Sequence, residues 1–569
     1  MFQRSLLRQR PPDSEKPKNR PGTVILCFAT ALFVILFDNI SFWRALLSIL
    51  GNVSPEQWGF LISVFISLLA ILNLLLSLFS FPYVFKAAAI SLLLTAACAG
   101  YFMDAYGIMI DRMMIQNVVE TDAAEVLELL NLQLLYHFVL FGVIPSVIVY
   151  RVDIHYVSFR KETLKKLWVA LLSIMIITPN LLGFYKDYAS VYRNNRYIRH
   201  LVNPLNYISA IKSGIRHAFN DSAVTVLPIG EDATLTTAWQ STGKKTLTIF
   251  VLGEAARARD FSLNGYGRIT NPLLSKEAII NFSNFYSCGT ATAVSLPCIF
   301  SRFTRNSFST SRAKRYENLL DVLSHAGINV LWRENNSGCK GVCARITTED
   351  LSHLQMRDYC NAKECHDEIL LHDLEAYVEK IDNDSVIVLH QKGSHGPAYY
   401  RRYPDPFNVF TPACTTKELH ECRRREILNS YDNTILYTDY FLSRVIAFLK
   451  ENSGRFDSAM LYVSDHGESL GENNIYLHGL PYLIAPDEQK HIPFILWFSD
   501  GFTKDRGLDI SCLRKRSNRR YSHDNIFHSM LGLTGVHTGL YDVELDIFAG
   551  CIPRPAGNSP FPGGNPQDQ

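Results

Sequence analysis

Five long runs of apolar residues occupy the first third of the 569-residue chain, and they constrain its fold more than any other feature. A helix needs about 20 residues to cross the hydrocarbon core of a membrane, and each run has about that length. A soluble amphipathic helix would show a polar stripe at every turn, whereas these runs contain only an occasional charge such as Asp38. We therefore predict five transmembrane helices, at residues 22–42, 58–81, 85–106, 130–150 and 167–185.

The composition indicates that the rest of the chain lies in a different solvent. Lys and Arg number 56 against 54 Asp and Glu, and this near balance argues against a nucleic-acid-binding protein that acts through bulk charge. A hydrophobic fraction of 47% is too high for a disordered chain. A mean hydropathy of +0.03 is too low for a chain that is membrane-embedded throughout. These values predict a transmembrane domain at 1–185, a linker at 186–245 and a soluble domain at 246–551.

Basic residues in the short segments that flank the runs predict their orientation. Six Lys and Arg precede the first run and five lie between the fourth and fifth runs, so both segments should face the cytoplasm. The loop at 107–129 is mainly acidic and fits the opposite side. An odd number of spans that starts inside ends outside, so we expect the soluble domain to be exported.

The cysteines test that expectation independently, because ten of the twelve lie after residue 186. Eight of them form close pairs in the sequence: Cys288/Cys298, Cys339/Cys343, Cys360/Cys365 and Cys414/Cys422. Pairing of neighbours would close four small disulfide loops, as is reasonable in an oxidising compartment. A cysteine zinc site is the alternative, but no zinc-finger spacing occurs. The sequence leaves open whether Cys512 and Cys551 form a fifth pair or are free thiols.

The linker and the end of the chain have distinct patterns. Apolar residues recur at helical spacing after Pro204, with basic residues among them: Ile208, Ile211, Ile215, Phe219, Lys212 and Arg216. This pattern predicts an amphipathic helix that either rests on the membrane surface or packs against the soluble domain. Residues 552–569 are rich in Pro and Gly and are predicted to form a disordered tail.

Short apolar or β-branched runs alternate with helical stretches in the soluble domain. The runs lie at residues 246–252, 329–332, 385–389, 458–463 and 492–498. Continuous apolar strands separated by helices are typical of a sheet that is covered on both faces. The predicted fold class is therefore an N-terminal α-helical transmembrane domain followed by an α/β domain, whose mostly parallel sheet is covered by helices.

Polar residues follow three of these predicted strands, where ligands of open α/β sheets gather. Glu254 follows the first strand, the run His390–His395 ends the third, and Asp465 and His466 follow the fourth. His478 lies twelve residues beyond His466. Carboxylates and imidazoles from separate strand ends are suitable zinc ligands and can leave a coordination position open for a substrate. Each residue alone is weak evidence, but their joint occurrence predicts a metal site.

A nucleophile is expected near a helix start, where backbone N–H groups favour phosphoryl oxygens. The segment 287–300 offers Thr290, Thr292 and Ser295 between two cysteines. A hydroxyl is a weak nucleophile at its own pKa, and a divalent metal would activate it near neutral pH. The segment taken alone is equally well explained as an N-capping cluster.

Three of these motifs together resemble a known family. They are Glu254 after a strand, the run C-G-T-A-T at 288–292, and S-D-H-G-E-S-L-G-E-N at 464–473 followed by Y-L-H-G at 476–479. They closely resemble the phosphoethanolamine transferases of Gram-negative inner membranes, in the branch that modifies lipid A and includes the transferable colistin-resistance enzymes. The resemblance covers nearly the whole chain and implies that the exported domain is similar to alkaline phosphatases and sulfatases.

Carried over residue by residue, the resemblance implies a metal site and a nucleophile. It implies a zinc held by Glu254, Thr292, Asp465 and His466, with Thr292 as the nucleophile. Two further residues match positions that bind a second zinc or the phosphoryl group in relatives, and both are candidates for proton transfer: His395 and His478. Ser295-Leu296-Pro297 starts like the Ser/Cys-x-Pro-x-Arg signature of sulfatases, but Ile at position 299 breaks it.

The resemblance also implies residues that contact the substrate. Asn336 and Lys340 match the family's substrate-contacting segment, although only part of the family has the cysteines that bracket Lys340 here. In the acidic loop, Asn117, Thr121 and Glu125 match residues that handle the lipid substrate near the membrane.

The activity implied by the resemblance is transfer of phosphoethanolamine from phosphatidylethanolamine to a phosphate of lipid A. The transfer would pass through a covalent phosphoethanolaminyl-threonine, lower the negative surface charge and give polymyxin resistance. The expected cofactor is one tightly bound zinc, with a second at His395 and His478 left open. We expect a monomer in the inner membrane with its catalytic domain in the periplasm and no nucleic-acid partner. The alternative is a related metal-dependent phosphotransferase or hydrolase that acts on another lipopolysaccharide sugar or a glycan.

Overall fold

A computed structural model describes residues 20–51, 55–120, 123–221, 225–236, 244–354, 356–361 and 364–553. The chain forms two compact units. The helical unit comprises residues 1–105 and 132–206, and the α/β unit comprises residues 106–131 and 207–569. The predicted tail at 552–569 lies outside the described residues from position 554 onward.

The apolar runs form helices. In chain order the helices as far as residue 194 are α1 Thr23–Phe37, α2 Ile40–Leu50, α3 Pro55–Leu78, α4 Val84–Tyr106, α5 Arg112–Glu120, α6 Ala123–Leu129, α7 Leu132–His137, α8 Ile144–Arg151, α9 Phe159–Gly183 and α10 Tyr185–Asn194. A π-helical segment, Phe138–Val143, joins α7 to α8. In the described part of the chain four helical stretches are long and apolar enough to cross a membrane, and the bent pair α1 and α2 makes a fifth if it is one span.

The first apolar run bends near its end, at Asp38 and Asn39, between α1 and α2. The axes of α1 and α2 differ by 59°. Backbone groups freed at such a break must find protein partners, because lipid offers none. The Asn39 side-chain amide donates to the Val34 carbonyl at 2.9 Å, and that of Asn203 donates to the Asp38 carbonyl at 3.0 Å. Asn203 therefore hydrogen bonds a carbonyl at the bend that interrupts the predicted span at 22–42, and Asn39 adds a second donor to the Val34 carbonyl, which also accepts from Asp38 N–H.

The α/β unit contains the remaining elements. Its helices after α6 are α11 Leu205–Asp221, which begins at the end of the helical unit, α12 Thr292–Ile299, α13 Thr310–Ala313, α14 Leu319–His325, α15 Leu374–Val378, α16 Arg424–Glu451, α17 Asp500–Arg506, α18 Ile510–Arg516 and α19 Ile526–Thr534. Its strands are β1 Thr234–Leu235, β2 Lys245–Gly253, β3 Ile280–Tyr286, β4 Asn329–Glu334, β5 Thr347–Asp350, β6 Ser385–His390, β7 Phe456–Ser464, β8 Ser469–Glu472, β9 Ile475–Leu477, β10 His491–Phe498, β11 Tyr521–Ser522 and β12 Val536–His537.

Eight of these strands form one sheet in the order β11-β3-β10-β7-β2-β6-β4-β5. The five strands from β7 to β5 run parallel to one another, and β10 is antiparallel to both β7 and β3. The prediction of a mostly parallel sheet covered by helices is confirmed. The short pairs β1 with β12 and β8 with β9 lie outside this sheet.

Both faces of the sheet are buried, which explains why its central strands are continuously apolar. In β2, Phe250 and Leu252 pack into a cluster with residues of α12 and α14, whereas Ile249 and Val251 pack into a second cluster with residues of α16. Side chains of a strand alternate between its faces, so each face needs its own apolar residues. Because both faces of the sheet are covered, polar functional side chains are expected at the strand ends.

The linker helix α11 keeps an apolar face toward solvent. Ile208, Ile211 and Ile215 are 40%, 42% and 52% exposed. This exposure favours the interpretation in which the helix rests on a membrane surface over the one in which it packs against the soluble domain.

Candidate active site

The carboxyl ends of four neighbouring parallel strands, β7, β2, β6 and β4, meet at one edge of the sheet. The register pairs Gly253 of β2 with Ser464 of β7, and Glu334 of β4 with His390 of β6. Side chains that follow these paired positions are therefore brought together, although they lie up to about 200 residues apart in the chain. The polar groups predicted at three strand ends lie at this edge.

Thr292 lies at this edge, on the first residue of α12. Its Oγ1 donates a hydrogen bond to Glu254 Oε2 at 3.0 Å and lies 3.4 Å from His466 Nε2. Glu254 directly follows β2, His466 is the second residue after β7, and both side chains are buried. A hydroxyl is thus held between a carboxylate and an imidazole.

Glu254, Asp465 and His466 fit a divalent metal ion. Their ligand atoms all lie within 4.8 Å of one another. Glu254 Oε1 and Asp465 Oδ2 are buried and accept no hydrogen bond from the described residues. A buried carboxylate oxygen without a donor is costly unless a cation satisfies it. Carboxylate oxygen and imidazole nitrogen are ligands that zinc accepts.

The His466 imidazole is oriented for such a role. Its Nδ1 donates to the Gly467 carbonyl at 2.8 Å, so the lone pair of the neutral ring is on Nε2. Nε2 lies 3.2 Å from Glu254 Oε1 and 3.3 Å from Asp465 Oδ2. A backbone partner on one ring nitrogen is the usual way to fix the tautomer of a metal-binding histidine.

The electrostatics of these three residues indicate excess negative charge. Burial raises the pKa of Asp465, and the charge of Glu254 raises it further. Burial alone would raise the pKa of Glu254, but His466 outweighs it and holds that pKa well below its ordinary value. Burial alone would lower the pKa of His466, but Asp465 and Glu254 raise it instead. Two buried carboxylates therefore compete for one positive charge, which a divalent cation would supply better than a proton.

The other two candidate hydroxyls of the segment lie elsewhere. Thr290 Oγ1 donates to the Leu480 carbonyl at 2.5 Å and so ties this segment to the loop after β9. Ser295 is fully buried within α12. Of the three candidates, Thr292 is the one whose hydroxyl contacts Glu254 and His466.

His523, which the sequence analysis missed, connects the Thr292 segment to the edge of the sheet. Its Nδ1 accepts from the backbone N–H of Cys288 at 3.1 Å, and its Nε2 donates to the Ser464 carbonyl at 3.0 Å. Burial lowers the pKa of His523 to about 3, so the ring is neutral, as these two bonds require. No local pattern distinguishes this histidine in the sequence, because both of its partners are remote.

A chain of hydrogen bonds connects Glu254 to Asn336, His390 and Glu334. Asn336 Nδ2 donates to Glu254 Oε2 at 2.8 Å and lies 3.3 Å from His390 Nε2. His390 Nδ1 lies 3.0 Å from Glu334 Oε2, which also accepts from the Trp332 indole at 2.8 Å. Asn336, implied by the family to contact substrate, here contacts a candidate metal ligand. The sequence analysis missed Glu334, although its place at the end of a strand is a usable signal.

His395 and His478 lie beside this centre. The rings of His478 and His466 are 4.2 Å apart, and those of His478 and His395 are 5.5 Å apart. Glu468 Oε2 lies 3.3 Å from Nδ1 of His478. His478 therefore lies against the candidate metal ligand His466, and His395 lies against His478.

The remaining candidate residues are distributed around the site. Lys340 Nζ donates to the Ser337 carbonyl at 3.0 Å, in the loop after β4. Asn117 of α5 lies beside Gly479. If Gly479 carried a Cβ, that atom would be 3.5 Å from the side-chain amide nitrogen of Asn117. Thr121 lies outside the described residues, and so does the side chain of Glu125.

Five disulfides connect cysteines of the α/β unit. They join Cys288 to Cys298, Cys339 to Cys343, Cys360 to Cys365, Cys414 to Cys422 and Cys512 to Cys551. The first four are the predicted neighbour pairs. The fifth joins Cys512 to Cys551, the pair that the sequence left open. The first bridge encloses Thr292.

Loss of the Cys288–Cys298 bridge should reduce both stability and activity. In Cys288→Ser/Cys298→Ser, a loop of this size should cost about 2–3 kcal/mol of unfolding free energy by the chain-entropy estimate, and the Thr292 segment loses a restraint. Denaturant unfolding and transfer assays measure the two effects. Cys512→Ser/Cys551→Ser is the matched control, which should lower stability with little change in the activity of the folded protein. Free Cys288 and Cys298 thiols in a non-reducing peptide map would contradict the assignment.

The helices are long enough to cross a membrane, and the α/β unit carries a triad that fits a metal ion, with a hydroxyl beside it, at its strand ends. These features define a membrane protein with a soluble C-terminal domain of the sulfatase type. Residues 246–536 match the Sulfatase family, and residues 68–219 match the family described as phosphoethanolamine transferase EptA/EptB. The chain is 41% identical to phosphoethanolamine transferase EptA of Escherichia coli K12 over 536 residues, 94% of this chain and 98% of the relative.

Other relatives agree. The chain is 37% identical to phosphatidylethanolamine transferase Mcr-1 of Escherichia coli, over 83% of this chain and 89% of that one. The solved structure of the integral membrane lipooligosaccharide phosphoethanolamine transferase A (EptA) from Neisseria meningitidis superposes with a TM-score of 0.90 at 36% identity, covering 94% of this chain and 99% of that one. The chain belongs to the EptA family of phosphoethanolamine transferases.

Proposed function

We propose that this protein transfers phosphoethanolamine from phosphatidylethanolamine to a phosphate of lipid A, with Thr292 as the covalent carrier. The observation that carries the proposal is the position of the Thr292 hydroxyl, which hydrogen bonds to Glu254 and lies against His466 at a helix start. The names of the relatives support the transferred group, and that of a 25% identical transferase from Escherichia coli K12 includes Kdo(2)-lipid A.

The proposed cofactor is zinc, held by Glu254, Asp465 and His466 with the Thr292 hydroxyl beside them. The two unsatisfied buried carboxylate oxygens support this assignment. Bound there, zinc would lower the pKa of the hydroxyl and offset negative charge on the phosphoryl oxygens.

In the first step Thr292 Oγ1 attacks the phosphorus of phosphatidylethanolamine. A bond forms between Oγ1 and phosphorus as the hydroxyl loses its proton, and the bond from phosphorus to the glycerol oxygen breaks. The glycerol oxygen gains a proton, which balances the one lost by Thr292, and diacylglycerol leaves. Glu254 Oε2 orients the attacking oxygen by accepting its hydrogen bond. The product is phosphoethanolamine esterified to Thr292.

In the second step a phosphate oxygen of lipid A attacks the same phosphorus, and Thr292 Oγ1 leaves and regains its proton. His395 and His478 lie beside the centre and are the groups proposed to hand a proton to the leaving oxygen in each step. The product carries a phosphoethanolamine on a lipid A phosphate.

We place the protein in the inner membrane as a monomer, with the α/β unit in the periplasm. The disulfides of that unit support an oxidising compartment. Both proposed substrates are lipids, so confinement to the membrane surface raises their effective concentration at the site.

Expression in a polymyxin-sensitive Gram-negative host tests the function. We expect mass spectrometry to find lipid A with an added phosphoethanolamine, and polymyxin susceptibility to fall because the new ammonium weakens attraction for cationic peptides. A host that expresses the Thr292→Ala protein at an equal level is the control. Unmodified lipid A with phosphoethanolamine on another lipopolysaccharide sugar would instead support the alternative acceptor.

A further inference from the structure

A cleft of about 890 Å³ in the α/β unit begins at the candidate active site and extends away from it. Asn336 and His395, which belong to the site, line its inner end. The proposed mechanism uses His395, and Asn336 supports Glu254, but the rest of the cleft has no assigned role. A group bound there would be adjacent to the phosphorus carried on Thr292.

Four of the charged groups that line the cleft neutralise one another. Arg402 contacts both Glu128 and Glu364, and Arg401 lies 3.1 Å from Glu128. Glu128 and Arg402 are 8% and 3% exposed, so this is a largely buried cluster with two positive and two negative charges. It forms a wall of the cleft and has no net charge with which to attract a ligand.

Lys392 lines the same cleft and is not neutralised. The residue is partly buried, and its ammonium has no hydrogen bond and no ion pair with any residue in the described part of the chain, whereas almost every other charge of the cleft is partnered. Lys417, the second lysine of the lining, donates to the Leu127 carbonyl at 2.7 Å, which leaves its positive charge uncompensated. Two positive charges of the cleft therefore have no counter-ion among the described residues, which favours an anion there.

The backbone at Lys392 is held rigidly against the candidate metal ligands. The N–H groups of Lys392 and Gly393 donate to the buried carboxylate of Asp367 at 2.7 and 3.0 Å, and Ser394 N–H donates to the Glu254 carbonyl at 2.9 Å. Gly393 has a positive φ of 55°, and a Cβ there would lie 2.6 Å from the Glu254 carbonyl oxygen. The base of the Lys392 side chain is therefore preorganised beside the reaction centre.

We infer that this cleft is the subsite for a phosphomonoester group of the acceptor and that Lys392 is the cation that binds it. The inference rests on the proposed function. A phosphomonoester carries close to two negative charges at neutral pH, which suits an uncompensated ammonium. The donor headgroup is a poorer fit, because its phosphodiester has one negative charge and its own ammonium is repelled by Lys392.

Kinetics with the full-length protein in phosphatidylethanolamine nanodiscs test the inference, with Lys392→Met as the variant and bisphosphorylated lipid A as the acceptor. We expect KM for the acceptor to rise about tenfold or more, as for loss of one charge-assisted hydrogen bond. Diacylglycerol release without acceptor, which reports the first step, should stay at the wild-type rate. Lys392→Arg should restore most of the acceptor affinity, which a merely structural role would not explain.

A monophosphorylated acceptor distinguishes which phosphate Lys392 binds. If it binds the attacking phosphate, Lys392→Met raises KM for both acceptors, and if it binds the second phosphate, the increase disappears with the monophosphorylated one. Lys504→Met, at an exposed lysine of α17 that does not line the cleft, is the matched control and should behave as wild type.

Other outcomes would overturn the inference. An unchanged acceptor KM in Lys392→Met, or a change confined to the donor KM, would remove the anion subsite while leaving the proposed function intact. A wild-type protein that releases no diacylglycerol would instead contradict the proposed function itself.

Discussion

Replacing Thr292 with alanine is expected to abolish phosphoethanolamine transfer while the protein still folds. The substitution removes a hydroxyl that contacts both Glu254 and His466, and it opens little space at the first residue of α12. Loss of a covalent nucleophile typically reduces turnover by roughly 10⁴-fold or more. Transfer to lipid A measured by mass spectrometry, with thermal unfolding as the check on folding, tests the expectation.

Two variants are matched to this one. Thr292→Ser keeps a hydroxyl and should keep measurable transfer, whereas Ser295→Ala removes a buried hydroxyl from the same helix and should stay near the wild-type rate. Wild-type protein given phosphatidylethanolamine without acceptor should accumulate phosphoethanolamine on the peptide that contains Thr292. Full activity of Thr292→Ala, or an adduct mapped to Thr290 or Ser295, would show that another residue is the nucleophile.

The second large effect is expected at the candidate metal ligands. Glu254→Gln, Asp465→Asn and His466→Ala should each lose transfer because the protein loses zinc. We expect the zinc affinity to fall by more than about 100-fold, which is more than is typical for residues that only support a metal ligand. Metal analysis separates these variants from Thr292→Ala, which keeps all three ligands of the triad and should retain most of its zinc. Added zinc at about 100 times its Kd should raise the wild-type unfolding free energy by about 2.7 kcal/mol and leave the three variants unchanged.

Asp367→Asn provides the control for loss of a buried carboxylate. Asp367 is buried next to the site but accepts hydrogen bonds from the backbone of Lys392 and Gly393 instead of joining the metal triad. This variant should be less stable and still bind zinc. If Glu254→Gln also kept full zinc content and responded to added zinc as wild type does, the assignment of that ligand would be refuted.

Much of the architecture could be predicted, because it follows from whether a segment lies in lipid or in water and from the spacing of its apolar residues. Runs of about 20 apolar residues satisfy their backbone in lipid only as helices, and continuous apolar strands need cover on both faces. The strand ends could be located in the same way, so Glu254, Asp465 and His466 were recognisable as polar residues that directly follow buried strands. The four neighbour disulfides could be predicted from the close spacing of their cysteines in the sequence.

Other features depended on contacts between distant parts of the chain. The bend at Asp38 and Asn39 requires Asn203, which lies more than 160 residues away and supplies the hydrogen bonds that a broken helix lacks. The pairing of Cys512 with Cys551 spans 39 residues, so only the packing after α18 decides it. The antiparallel direction of β10 also depends on its neighbours, because an apolar run has the same composition in either direction.

The sequence by itself therefore determined that the chain has a membrane part, an α/β part and a set of candidate metal ligands at strand ends, since each depends on local residue type and spacing. Only the tertiary structure decided which hydroxyl contacts Glu254, that Asn336 and His523 support the site, and that Lys392 has no counter-charge among the described residues. These are properties of pairs of residues. Their partners are set by strand register and helix packing, which bring together positions that no local pattern connects.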